Sequence, residues 1–370
     1  MATNNDPIRY AVVGLGYIAQ AAVLPAFEHA ENSRLAALVS DDPEKLKQLG
    51  ERYGVEHRFS YGEYEECLGS GLIDAVYIAL PNSMHHEYTV RAARAGIHVL
   101  CEKPMAVDER ECREMIEACR ENNVRLMIAY RLHFEEANLT TKALVEEGRL
   151  GTPRIFNSVF TMQVKEGNIR LQQETGGGTL YDIGIYAINA ARTLFAAEPI
   201  EVIAVTEKGD DPRFEEVEEM TGAILRFPDH RLATFICSFG AKDTSTYEVI
   251  GTRGRIRLDP GYELAEDLHR YTTMNGSTRE ETFSKRDQFA PEIIYFSDCI
   301  REGINPQPSG AEGLADVAVI RALYGSARSG RPMHLTVPEP TERPEAANEM
   351  KKPPVEKQQL IHANAPTEAE

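Results

Sequence analysis

Short apolar runs alternate with longer amphipathic stretches through the first third of the chain. "IRYAVVGLG" (8–16), "RLAALVS" (34–40), "DAVYIAL" (74–80), "HVLCE" (98–102) and "VRLMIAY" (124–130) read as strands. Between them, "AAVLPAFEHA" (21–30), "PEKLKQLGERYG" (43–54), "MHHEYTVRAARAG" (84–96) and "ECREMIEACRENN" (111–123) carry helical periodicity. Apolar strands separated by helices predict βαβ units and a parallel sheet covered on both faces.

The rhythm changes near residue 153. The runs 154–164, 200–208, 221–227, 231–239, 245–251 and 254–259 read as strands with few helices between them. "PDH" and "TRG" look like hairpin turns, so this part is expected to form an antiparallel sheet. Two late helices, 290–303 and 313–330, each end in glycine. The pattern predicts an α/β domain over 1–130 and an α+β domain with a large open, mainly antiparallel sheet over 131–337. The stretch 338–370 is rich in Pro, Glu and Ala. It is expected to stay outside the core as a disordered tail, or to act as an arm over a neighbouring subunit.

A chain of 370 residues suits two cores. Its net charge of −18 argues against a nucleic-acid or anionic-membrane surface and leaves a small molecule as the expected partner. The opening "MATNNDPIRYAVVG" has no export pattern, and no apolar run is long enough to span a bilayer. The six cysteines (67, 101, 112, 119, 237 and 299) are scattered, as expected of reduced thiols in a cytoplasmic protein.

The first strand ends in a GxGxxA variant of the dinucleotide fingerprint: Gly14, Gly16 and Ala19. Gly14 permits the tight turn, Gly16 admits a pyrophosphate, and Ala19 keeps helix close to strand. Tyr17 and Ile18 would offer the first helical N–H groups. This defines a Rossmann domain binding NAD(P). At the end of the second strand Asp41 favours NAD, whereas Ser40 with Lys45 favours NADP; the balance leans to NADP. Glu102, Lys103 and Pro104 end a parallel strand at the edge where ligands sit in such sheets.

In "GGGTLYDIGIYAI" (176–188), three glycines run into a helix carrying Asp182 and Tyr186 four residues apart, on one face. The glycines would let the backbone turn into that helix and pass close to a substrate. Adjacent His85 and His86 lack a third ligand at suitable spacing, so no metal site is expected.

"CEKP", "AYRLHF", "GGGTLYDIGIYAINAAR" and "SGAEGLADVAVIRALYGSARSGRP" together resemble the glucose-fructose oxidoreductase / inositol dehydrogenase / dihydrodiol dehydrogenase superfamily over 8–335. Within it, the closest likeness is to glucose-fructose oxidoreductase. The resemblance implies NAD(P)-dependent hydride transfer at a sugar or polyol carbon, and homodimers or homotetramers built through the antiparallel sheet. It matches Lys103, Asp182 and Tyr186 to catalytic positions. Leu80, Pro81, Asn82 and His85 match the loop passing the nicotinamide, and Glu102 and Arg131 line the cofactor. Arg131 and His133 match a segment near the substrate, to which Lys103, Asp182 and Tyr186 also belong.

The implied chemistry is proton removal from a hydroxyl as hydride departs. A tyrosine, with an ordinary pKa of about 10, needs a nearby cation to act as base at neutral pH, and Lys103 is the candidate. Asp182 would hold the substrate, while Arg170 could bind a hydroxyl or an anion. Two enzymatic variants stay open: hydride shuttling between two sugars on a retained cofactor, and a trans-dihydrodiol or xylose-type dehydrogenase using free NADP. A non-catalytic dinucleotide- or sugar-sensing regulator is the alternative of another class.

Overall fold

A computed structural model describes residues 6–336 and 343–367. The chain divides into two compact units: Met1–Phe134 with Arg286–Gly313 and Met350–Ala365, and Glu135–Lys285 with Leu314–Glu349 and Pro366–Glu370.

The first unit holds six parallel strands: β1 (Ile8–Val13), β2 (Ser33–Val39), β3 (His57–Phe59), β4 (Ala75–Ile78), β5 (His98–Glu102) and β6 (Leu126–Ala129). Their order, β3-β2-β1-β4-β5-β6, is that of a Rossmann sheet, with its switch point between β1 and β4. Val12, Val13, Leu38, Val76, Leu100 and Ile128 are fully buried. Each such side chain contributes about 1.5–3 kcal/mol relative to exposure. The helix Pro43–Tyr53 starts on Asp42, whose carboxylate accepts the Glu44 and Lys45 N–H groups, and ends at Gly54 with φ 65°. β3 is an addition to the expected strands.

The unit is not confined to the N-terminal stretch. Helix Ala290–Glu302 returns to it and places Ser297 2.7 Å from the buried Tyr10 hydroxyl. Pro308 then accepts the Ile128 N–H at 3.1 Å, satisfying the free edge of β6. Part of the expected tail also belongs here. Residues 338–342 and 368–370 lie outside the described residues, but 350–365 pack on the first unit and bury Ile361 to 6% exposure. The composition concealed this because the anchor is one apolar residue plus backbone hydrogen bonds.

The second unit holds β7 (Pro153–Thr161), β8 (Glu201–Glu207), β9 (Met220–Phe227), β10 (Arg231–Ser238), β11 (Thr244–Gly251), β12 (Gly254–Leu258), β13 (Leu268–Met274), β14 (Ser277–Phe283) and β15 (Met333–His334). They run in the order β14-β13-β12-β11-β7-β10-β9-β8-β15, antiparallel apart from the β7–β10 pair. The expected open, mainly antiparallel sheet is therefore present. The Asp229–His230 turn has both φ values near +60°, the geometry that closes a tight hairpin between β9 and β10. Helix Ile185–Phe195 packs against β7.

Candidate functional site

The glycine turn of the first unit is shaped for a dinucleotide. Gly14 has φ 92°, and a Cβ there would meet the Ala79 carbonyl oxygen at 2.5 Å. At Gly16 a Cβ would meet nothing within 4 Å, which leaves room above the helix start for a pyrophosphate. Tyr17 and Ile18 are half-buried beside it. The residues present therefore fit NAD(P).

At the end of β2, Ser40 is buried and its hydroxyl accepts the Asp42 N–H at 3.2 Å. Asp41 is exposed, but one carboxylate oxygen already accepts the Tyr61 N–H at 2.7 Å. Lys45 lies in the first turn of the following helix, half-buried.

His85 sits differently from the expectation that it lines the cofactor. It is fully buried, with Nδ1 2.8 Å from the Pro104 carbonyl and Nε2 2.9 Å from the Leu80 carbonyl. Burial lowers its pKa, and the ring braces the loop after β4 against the loop after β5. Leu80 is buried, while Pro81 and Asn82 are half-buried in that loop. His133 is likewise a packed ring, 6% exposed and stacked on Tyr130 at 5.3 Å, rather than an open substrate contact. His86 lies 2.7 Å from Glu114.

Glu102 accepts the Tyr77 hydroxyl at 2.9 Å. Burial raises its pKa, and the charge of Lys103 works against that rise. Arg131 donates to the Gln288 side chain and further offsets the Glu102 charge. Glu292, fully buried, has both carboxyl oxygens without a hydrogen-bond partner. Its burial, and then the charge of Glu102, raise its pKa well above the ordinary carboxylate range. Nothing in its local sequence marks it.

In the second unit, residues Leu180–Gly184 form a π turn, and the α-helix proper starts at Ile185. Such turns concentrate at functional sites. Asp182 and Tyr186 are half-buried, while Tyr181, Ile183, Gly184, Ile185 and Ala187 are buried. Tyr186 lies against Phe160 at 5.5 Å and Tyr262 at 5.6 Å between ring centroids. Arg170 Nε donates to Asp182 Oδ2 at 2.6 Å.

The glycines before this helix do a different job from the expected close passage of a substrate. A Cβ on Gly177 would meet the Arg170 carbonyl oxygen at 2.4 Å, and one on Gly178 (φ 125°) the Tyr324 hydroxyl at 2.4 Å. The Gly178 N–H donates to that same Arg170 carbonyl at 3.0 Å. They dock the Ile169–Leu171 turn onto the helix start and so place Arg170 on Asp182.

Glu218, which sequence reasoning missed, accepts both the Thr179 N–H at 2.7 Å and its hydroxyl at 2.6 Å, capping the helix from a loop. Below, fully buried Arg192 pairs with Asp316 at 2.5 Å and Glu198 at 2.5 Å, holding the helix from beneath.

Comparison with known proteins agrees with this geometry. Residues 8–130 match the GFO/IDH/MocA oxidoreductase family with its NAD-binding Rossmann fold, and 138–257 match the GFO/IDH/MocA C-terminal domain. The chain is 33% identical over 342 residues to a D-xylose 1-dehydrogenase [NADP(+)] of Haloarcula marismortui, covering 90% of this chain and 94% of that one. The aldose-aldose oxidoreductase of Caulobacter crescentus, solved with glycerol, superposes with a TM-score of 0.85 at 39% identity, covering 89% of this chain and 100% of that one. A 3-ketoreductase of Actinomadura kijaniata, solved with NADP and TDP-benzene, gives 0.79 at 29%, covering 87% and 98%.

The chain belongs to the GFO/IDH/MocA family and is an oxidoreductase with an NAD-binding Rossmann domain. The resemblance carried by the "CEKP" and "GGGTLYDIGIYAINAAR" segments is borne out at that level. No helix of the described residues is long and apolar enough to cross a membrane.

Proposed function

We propose that this protein transfers hydride between NADP and a hydroxyl-bearing carbon of an aldose or related polyol. Lys103, Asp182 and Tyr186 are its catalytic residues. The observation that carries this reading is that Asp182 and Tyr186 keep partial access to solvent at a helix start whose other positions from 181 to 189 are buried. Bound nicotinamide supplies the hydride acceptor or donor. Tyr186 takes the proton from the substrate hydroxyl as its phenolate in oxidation and returns it as its phenol in reduction. A tyrosine in that role calls for a cation, and Lys103, which follows β5, is the residue that the family resemblance matches to it. Asp182 orients the substrate through its hydroxyls, with Arg170 fixing the carboxylate.

NADP is favoured because one Asp41 carboxylate oxygen already accepts the Tyr61 N–H, while Lys45, in the first turn of the next helix, offers a charge suited to a 2′-phosphate. The relatives from Haloarcula marismortui and Actinomadura kijaniata are named with NADP. The test is a panel of aldoses and polyols with NAD⁺ and NADP⁺, following formation of the reduced nicotinamide. Failure of every sugar with both cofactors would sink the reading, as would full activity in Tyr186→Phe.

Likeness to an aldose-aldose oxidoreductase supports a second form of the same activity, in which one sugar reduces the retained cofactor and another reoxidises it. Conversion of an aldose mixture without added coenzyme distinguishes the two. The protein acts as a homo-oligomer through the nine-stranded sheet. One face of that sheet exposes Ile155, Val159, Val205, Ile224, Leu232 and Ile236 on four adjacent strands, an apolar surface suited to a protein–protein contact. Six buried free thiols suit the reducing cytoplasm.

A further inference from the structure

The C-terminal stretch meets the first unit at two places that bear on the dinucleotide. Gln20 follows the glycine turn and is fully buried. Its amide is saturated: Nε2 donates to the Leu15 carbonyl at 2.9 Å and to the Ile361 carbonyl at 2.9 Å, while Oε1 accepts the Ile361 N–H at 2.8 Å. Leu15 lies between Gly14 and Gly16, so this one side chain ties the pyrophosphate turn to the backbone of residue 361. The next residue, His362, sits with Nδ1 2.9 Å from Asp42 Oδ2. Asp42 also caps the helix that begins beside Ser40 and Asp41, the ribose end of the same site. Between these anchors and further back, Arg52 donates to the Gln359 carbonyl at 2.9 Å and Lys352 to Glu31 at 2.6 Å.

We propose that residues 350–365 are part of the dinucleotide site and act as its closure, joining the pyrophosphate turn at Gln20 to the ribose loop at Asp42 and so retarding cofactor release. This rests on the dinucleotide reading above and extends it to a segment outside the Rossmann pattern. The argument is one of pairing. Lifting the segment strips two hydrogen bonds from a buried amide and exposes Ile361, so it opens rarely while both loops hold their places. A dinucleotide lying along Gly16 and Ser40 steadies both loops, and the segment in turn resists separation of those loops from the ligand. The imidazole contact with Asp42 ties residue 362 to the carboxylate that caps the helix after Ser40 and Asp41.

The test uses NADPH alone, without sugar. Release of NADPH from the full chain is followed by displacement with excess NADP⁺, and compared with a chain ending at 349 and with Gln20→Met. Thermal unfolding confirms that each variant folds. Release is expected to accelerate roughly tenfold or more in both, the size that follows from losing a pair of ordinary hydrogen bonds. In the unaltered chain, hydrogen exchange of the 355–365 amides should slow when NADPH is added. Rates within about twofold of the parent, or exchange indifferent to NADPH, would overturn the closure while leaving the hydride-transfer reading intact. A parent that binds no NADPH would instead remove that reading, and this inference with it.

Discussion

Arg170 donates through Nε to Asp182 at 2.6 Å, and the loop that carries Arg170 is fastened to the start of the Asp182 helix by Gly177 and Gly178. The carboxylate therefore has a positive partner set in place by backbone geometry rather than by a long flexible reach. Removing that partner takes away the guanidinium that holds the carboxylate from this side. Arg170→Ala is expected to lower kcat/KM roughly ten- to a hundredfold, from a charge-assisted hydrogen bond worth about 1.5–3 kcal/mol. NADPH affinity should stay at the parent value. An unchanged kcat/KM would show that Asp182 does not depend on Arg170.

Gly177 makes a separate case, because it is far from any reacting atom in sequence logic yet holds Arg170. Its Cβ would lie 2.4 Å from the Arg170 carbonyl oxygen and 2.7 Å from that of Gln172, both backbone atoms that cannot rotate away. Gly177→Ala should cost about 1–3 kcal/mol of stability and reproduce the Arg170→Ala loss of kcat/KM. A variant as stable and as active as the parent would mean that this turn is free to move.

These two relationships also mark what could and could not be read from the chain. β1, β4, β5 and β6 were legible because they are largely buried on both faces and so form continuous apolar runs, and β2 because its second half, Ala37–Val39, is. β13 and β14, "LHRYTTM" and "STREETF", carry too few apolar residues to signal a strand. The Asn275–Gly276 turn between them, with φ 52° and 78°, was the signal that could have found them. Lys103, Asp182 and Tyr186 are named by the family resemblance, and their catalytic roles belong to the proposed function. Arg170 could be named but not paired, since it stands twelve positions before Asp182 across a turn that no periodic pattern registers. Gln20, Glu218 and Glu292 were invisible because their roles come from tertiary neighbours and burial. The order of 350–365 was hidden by a composition that ordinarily means disorder.

The two glycines of the fingerprint should separate fold from cofactor. Gly14→Ala forces a Cβ against the Ala79 carbonyl at φ 92°, and should cost about 1–3 kcal/mol of stability even without ligand. Gly16→Ala finds open space in the protein, so its unfolding midpoint without ligand should stay close to the parent's. Its NADPH dissociation constant should nevertheless rise about tenfold or more, because the added methyl intrudes where the pyrophosphate lies. If Gly16→Ala bound NADPH as tightly as the parent, the dinucleotide would have to lie elsewhere.

The apolar sheet face predicts its own solution behaviour. Ile236 and Ile224 lie on that face, half-exposed at 51% and 45%. The parent is expected to run as the proposed oligomer, and Ile236→Lys, which places a charge among apolar neighbours, should shift it to monomer, as read by light scattering on a sizing column. An oligomer mass unmoved by that variant would place the subunit contact on another surface.

Glu292 offers a prediction about pH. Its carboxyl is fully buried without a hydrogen-bond partner, and burial with the nearby Glu102 charge raises its pKa well above normal. The unfolded chain loses this proton near its ordinary pKa of about 4.3, whereas the folded chain keeps it to higher pH. Below that value both states are protonated and the group adds no pH dependence. Above it the folded state binds more protons, so stability falls as pH rises, by up to about 1.4 kcal/mol per unit, until the folded pKa is passed. Glu292→Gln removes the titration while keeping the shape and a similarly unpaired amide. Parent and variant should therefore be nearly equal in acid, and the variant should gain steadily as pH rises toward alkaline values. Denaturant unfolding across that range measures the gap. A gap that stays constant with pH would mean that Glu292 is ionised in the folded protein and has a cationic partner.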